Sequence, residues 1–154
     1  MTGRAIRGRT LAPGRGAGPA LVLDAPLSFW GGMDPTTGRL IDRRHPQSGA
    51  DLTGRVMVMP SGRGSSSSST VLAEAIRTGS APAAIVLAEA DPIIALGALV
   101  AAELYGRLVP VVVVTPADHA RLRSGRPITV EAGSEGALIR PTGPPGPGRP
   151  GALR

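Results

Sequence analysis

The chain has 154 residues and a formal charge of +6, with no cysteine, and all 17 of its basic side chains are arginine. That length suits one domain with tails, and the lack of cysteine excludes disulfides, a thiolate metal site and a thiol nucleophile. The charge does not point to nucleic acid: residues 16–139 carry ten arginines against eleven acids, and one Phe, one Trp and one Tyr make no platform for stacking bases.

Residues 1–15 are rich in Arg and Gly and read as a loose segment. Pro13, Gly14, Arg15 and Gly16 interrupt any apolar core of a secretory signal. Ala20–Leu23 reads as a short strand. The loop Asp24 to Pro35 follows and holds two of the three aromatics, Phe29 and Trp30, beside Gly31 and Gly32. Phe29 suits core, whereas the pair as a whole hints at a packed or substrate-facing loop. The paired glycines permit close backbone approach. Asp34 to Arg39 is a turn, Leu40–Asp42 a short extended piece, and Arg43 to Gly49 another loop. His45 and His119 stand in no metal-ligand spacing; each reads as a loop or surface residue, and no metal ligand is assigned in this chain.

Val56–Met59 is a short apolar strand, and the glycine-rich turn Pro60-Ser61-Gly62-Arg63-Gly64 leads from it into Ser65 to Ser69. The spacing of Val71, Leu72, Ala75 and Ile76 predicts a helix from Ser69 or Thr70 to Thr78, with Ser69 as N-cap and Gly79 as C-cap. A strand, a glycine turn and a helix start bring backbone N–H groups, hydroxyls and a positive helix end to one place. Arg63 adds a planar donor fork suited to carboxylate or phosphate. Serine runs are also common in linkers. Here both flanks look like the core of one domain, which favours a loop that binds a small anion.

Ala83–Leu87 is a continuous apolar run that suits a strand buried on both faces. Pro92 to Tyr105 is apolar nearly all round, with Pro92 in its first turn and Gly106 at its exit; such a helix is buried or meets a partner. Its clean apolar stretch, Ile93 to Leu104, is too short to span a membrane, so a soluble, cytoplasmic protein is expected. Val109 to Val114 is a third core strand with Pro110 at its start. Thr115 caps a short helix or turn. Pro127–Ala132 and Ala137–Ile139 form a hairpin around Gly133 to Gly136. Pro141 to Arg154 is Pro/Gly-rich and expected to be disordered. The fold class is α/β with a barrel- or sandwich-like β core and flanking helices.

Four pieces carry a family resemblance: Pro26-Leu27-Ser28-Phe29-Trp30-Gly31-Gly32-Met33-Asp34-Pro35; Ile41-Asp42 with His45-Pro46; Gly62-Arg63-Gly64-Ser65-Ser66; and Ala81-Pro82-Ala83-Ala84-Ile85. In this order the chain resembles the small, swivel-domain subunit of the aconitase X family, whose members include small subunits of phosphomevalonate dehydratase and of cis-3-hydroxy-L-proline dehydratase. The resemblance implies a swivelling β/β/α domain over residues 16–140. It implies a hydro-lyase made from this subunit and a larger one, or from a fused version of both, with iron or an iron–sulfur cluster held by the larger part. It also implies that a serine of the swivel domain is the base that removes a proton; by motif position that serine is Ser65. Arg63, Gly64, Ser66, Ser67 and Ser68 are then the residues expected to bind substrate. The unbroken serine run and Phe29-Trp30 tilt the substrate toward cis-3-hydroxy-L-proline or another small hydroxy acid, with phosphomevalonate as the alternative. Two rival readings are a non-catalytic anion-binding module and a structural subunit that docks through the Ile93–Leu104 helix.

Overall fold

The computed structural model describes residues 4–142. Seven strands close into a barrel in the order β1-β5-β4-β3-β2-β6-β7. They are β1 (Ile6–Ala12), β2 (Gly14–Val22), β3 (Val56–Met59), β4 (Ala84–Leu87), β5 (Val111–Val113), β6 (Pro127–Gly133) and β7 (Gly136–Pro141), and β1 also pairs with β7. The helices are α1 (Phe29–Gly32), α2 (Ser68–Thr78), α3 (Pro92–Tyr105) and α4 (Pro116–His119).

The barrel has two halves. β2, β3, β4 and β5 run parallel, and parallel neighbours need crossover connections; α2 joins β3 to β4 and α3 joins β4 to β5. The other half is antiparallel, with β6 against β2 and β7, and β1 against β5 and β7. The hairpin around residues 133–136 forms as read, with Gly133 opposite Gly136.

The apolar runs are explained by two cores on opposite sides of the same strands. Successive side chains alternate between faces. Val56, Val58, Ala84, Val86 and Val112 point into the barrel with Ile6, Ile128, Val130 and Ile139. Met57, Met59, Ile85, Leu87 and Val111 point outward and pack under α2 and α3, against Leu72, Ile76, Ile94 and Ala98. Neither face meets water, so no polar alternation is written into β3, β4 or β5.

The N-terminus differs from the loose segment its composition suggests. Residues 6–12 are not loose but form a strand paired on both sides, and β2 starts at Gly14 rather than Ala20. A strand that alternates a buried Ile6 with Arg7 and Arg9 has the composition of a loose segment, yet Ile6 and Ala12 are fully buried. At the other end, Pro141 still belongs to β7. Residues 143–154 of the expected disordered tail lie outside the described residues.

Both main helices end at a left-handed glycine, Gly79 (φ 81°) and Gly106 (φ 67°), which a side chain disfavours. Asp91 caps α3, its Oδ1 accepting the N–H groups of Ile93 and Ile94 at 2.9 and 3.1 Å. One flank of α3 packs on α2 and the barrel, and the other leaves Leu96, Leu99 and Leu104 exposed. Among the described residues, no helix is long and apolar enough to cross a membrane.

Candidate functional site

The loop from Pro60 to Ser67 leaves the end of β3 and enters α2. Its first half is shaped by close contact. Gly62 bridges to Leu27 in parallel, and a Cβ at Gly62 would lie 2.0 Å from Asp91 Oδ2. Only glycine lets the backbone pass this carboxylate. Two residues on, Gly64 takes φ +89°, and a Cβ there would meet Ser28 Oγ at 3.3 Å. The chain therefore turns sharply between Asp91 on one side and Ser28 on the other, which presents Arg63 at the surface.

The serines then divide the work among themselves. Ser65 Oγ accepts the N–H of Ser67 at 3.0 Å. The carbonyls of Ser65 and Ser66 accept the N–H groups of Ser68 and Ser69 at 3.0 and 3.3 Å. Ser67 is the N-cap residue by position but makes no side-chain cap bond. Ser69, expected to be the N-cap, instead lies inside the first turn, and its hydroxyl donates to the Ser66 carbonyl at 2.9 Å. The reason is the tight turn at residues 65–68, which already uses the first helical donors and starts the helix earlier.

Ser68 is buried, at 4% exposure. Its Oγ accepts the Trp30 N–H at 3.1 Å and shares a hydrogen bond with Ser28 Oγ at 3.2 Å. It thus fastens the 28–32 turn to the start of α2. Phe29 fills core, while Trp30 is 60% exposed. Gly32 backs onto Leu27, where a Cβ would sit 2.7 Å from its Cδ1.

These pieces enclose a small recess of about 10 Å3, the room one water molecule takes. Arg63, Gly64, Ser65 and Ser68 line it together with Leu27, Phe29, Asp91, Ile93 and Ile94. Four of the six residues singled out from the sequence are thus brought together. Ser66 is exposed and Ser67 half-buried, and neither lines this recess.

Asp91 was not a site candidate from sequence. The dipeptide Asp91-Pro92 signals a helix start, and one carboxylate oxygen does that work; that the second oxygen faces a loop thirty residues earlier is a tertiary fact. His45 lies in a loop, as its sequence suggests, but not at the surface. His45 is buried, with Nε2 donating to the Ala25 carbonyl at 2.9 Å and Nδ1 accepting the Gln47 N–H at 3.0 Å, so it pins the 42–50 loop near the start of the Pro26 segment. His119 donates from Nε2 to the Met59 carbonyl at 2.9 Å. Among the described residues, no group of three or more His, Cys, Asp or Glu is placed to hold a metal ion.

Known proteins share this architecture. The family described as the aconitase X swivel domain has a sequence model that matches residues 5–139. Cis-3-hydroxy-L-proline dehydratase of Pseudomonas aeruginosa is 53% identical over 103 residues, covering 67% of this chain and 18% of that protein. The phosphomevalonate dehydratase small subunit of Methanothermobacter thermautotrophicus is 47% identical over 93 residues, covering 60% of this chain and 71% of that subunit. Among solved structures, aconitase X of Thermococcus kodakaraensis superposes with a TM-score of 0.80 at 30% identity, covering 92% of this chain and 100% of that one. The chain thus spans about a fifth of the length of the hydroxyproline dehydratase and most of the length of the small subunit.

Proposed function

The chain belongs to the aconitase X swivel-domain family, and on that premise we propose that it is the swivel part of a hydro-lyase, active with a large subunit of the same family and removing water from a small hydroxy acid. Cis-3-hydroxy-L-proline is the favoured substrate, supported by the identity to the Pseudomonas enzyme. Phosphomevalonate is the second reading, supported by the identity to a small subunit over most of that subunit's length.

The observation that carries the proposal is the setting of Ser65. Its Oγ accepts a backbone N–H, and Ser65 lines, with Arg63, a recess just before the start of a helix. A serine hydroxyl is a weak base, but an alkoxide at this oxygen keeps the Ser67 N–H bond and strengthens it, since a hydrogen bond to a charged acceptor is about twice as strong. Arg63 and the α2 N-terminus add fixed positive charge where the negative charge develops. Ser65 is thereby the base for the proton next to the substrate carboxylate. Arg63 and the N–H groups of the loop hold the carboxylate, or a phosphate on the alternative substrate. Ser68 also lines the recess, and its hydroxyl, engaged with Ser28 and Trp30, holds the turn that walls it.

The iron expected of the family does not fit this chain's own residues. There is no cysteine, and the described side chains form no ligand cluster. Its place in the proposal is the large subunit, which this chain would meet through the loop face and the exposed leucines of α3.

The test is co-expression with an aconitase X-type large subunit under anaerobic conditions, followed by parallel assays of water loss from both substrates. Turnover of cis-3-hydroxy-L-proline is the expected result. In the same complex, Ser65→Ala is expected to assemble and to lose at least about 100-fold in kcat, the usual weight of a positioned acid or base. A complex that forms with Ser65→Ala and keeps full turnover removes the assignment of the base.

A further inference from the structure

The mechanism above leaves one proton without a destination. Ser65 acts as a base only after its own hydroxyl proton has gone elsewhere, and the recess contains one carboxylate. Asp91 Oδ1 is occupied by two N–H groups of α3. Its Oδ2 passes beside Gly62, and Asp91 lines the recess together with Ser65. No direct bond links the two side chains, and the space is the size of one water molecule.

Resting on the dehydratase reading, we infer that Asp91 accepts the Ser65 proton through a single water held in this recess. The Ser65 O–H bond breaks and its proton passes to the water, while a proton of that water forms a new O–H bond on Asp91 Oδ2. The Ser65 alkoxide then takes the proton from the carbon beside the substrate carboxylate. That C–H electron pair becomes the new C=C bond, the C–O bond breaks, and hydroxide leaves. Ser65, again a hydroxyl, passes its new proton to the released hydroxide to form water, and the proton on Asp91 returns through the recess water to Ser65, which restores the carboxylate. No electron is gained or lost overall.

The recess suits this transfer. The charged group sharing it with Asp91 is Arg63, from the loop before α2. The rest of the lining, from the 27–29 turn and the first residues of α3, is apolar or hydroxyl, and Glu89 at the end of β4 is exposed. Protonation of Asp91 removes the one negative charge that would oppose an alkoxide on Ser65. Because it acts through Ser65, Asp91 is a positioning and proton-accepting residue rather than a catalytic one. It also explains the pairing of Gly62 with an acid: any side chain at 62 would push into Oδ2.

Substitution separates the relay from the helix cap. Asp91→Asn and Asp91→Ser both keep an oxygen that caps a helix well, and both remove the base. In the assembled complex each is expected to keep the wild-type melting temperature within about 2 °C and to lose about 100-fold or more in kcat, with KM changed less than about threefold. If Asp91→Asn folds poorly, Asp91→Ser carries the same reading. Wild-type kcat in either folded variant overturns the relay and leaves Asp91 as a cap alone, with the dehydratase reading intact. A wild-type complex inactive on both substrates overturns the dehydratase reading and the relay with it.

Discussion

Ser68 shows how one hydroxyl can matter more for what it holds than for what it binds. It is buried and joins Ser28 and the Trp30 backbone to the first turn of α2. Ser68→Ala leaves the Trp30 N–H without its acceptor, a cost of roughly 1–3 kcal/mol. The expected result is a fall of a few degrees in melting temperature and a change in the emission of Trp30, the chain's one tryptophan, both measurable on the isolated chain. An unchanged spectrum and melting point would mean that the turn is held by Phe29 packing alone. Gly62 has less latitude, since a methyl there lands 2.0 Å from a carboxylate oxygen; Gly62→Ala is expected to displace the loop and to lower turnover more than stability. Asp51 is the carboxylate with a pH signature. The Thr53 N–H bond holds its carboxyl below the usual range. A depressed folded pKa adds stability above the unfolded value that is lost as pH falls through the folded one. Asp51→Asn is therefore expected to flatten the acid side of the stability curve slightly, the group being almost fully exposed.

The two crossover helices are built alike but anchored differently. α3 has a carboxylate cap and a proline in its first turn; α2 has no side-chain cap bond and relies on the serine turn before it. Asp91→Ala, which removes the cap oxygens entirely, is expected to destabilise the chain by about 0.5–2 kcal/mol, readable as a lower denaturation midpoint. At the other end of α2, Gly79→Ala forces a side chain into the left-handed region and is expected to cost about 1 kcal/mol. The Glu74–Arg77 pair on the outer face of α2 is close, at 2.7 Å, but exposed, and pairs of that kind add little. Most of these helix limits were legible from sequence, because caps, glycine exits and 3.6-residue spacing are local. The start of α2 was misplaced by one or two residues because five consecutive serines offer five chemically equal caps, and only the turn geometry chooses among them.

At the scale of the molecule, closure of the barrel is the governing feature. β1 fills the gap between β5 and β7, so the N-terminal arginines are carried on a structural strand. Deletion of residues 1–12 is expected to open two strand edges and to give insoluble or unfolded protein, as judged by solubility and circular dichroism. A soluble, cooperatively melting product would show that six strands suffice. The same closure places the loop after β3 and the start of α3 side by side at one end of the parallel half, where Ser65 and Asp91 line one recess.

The amino-acid sequence alone determined the α/β class, the core runs of β3, β4 and β5, the helix exits, the hairpin and the loop around Ser65, because each depends on neighbours within a few residues. It also carried the family, through four short pieces in order. Tertiary structure decided the rest. Whether an Arg/Gly-rich segment is a tail or a strand depends on two partners more than a hundred residues away. Which serines line the recess, and that one of them, Ser68, is tied to Ser28 and Trp30, depends on how the 28–32 turn packs. Asp91 reaches the site only because parallel strands set β3 beside β4 and bring the ends of both to one rim. Local chemistry is written in adjacent residues, whereas a site shared by three loops exists only once the barrel has closed.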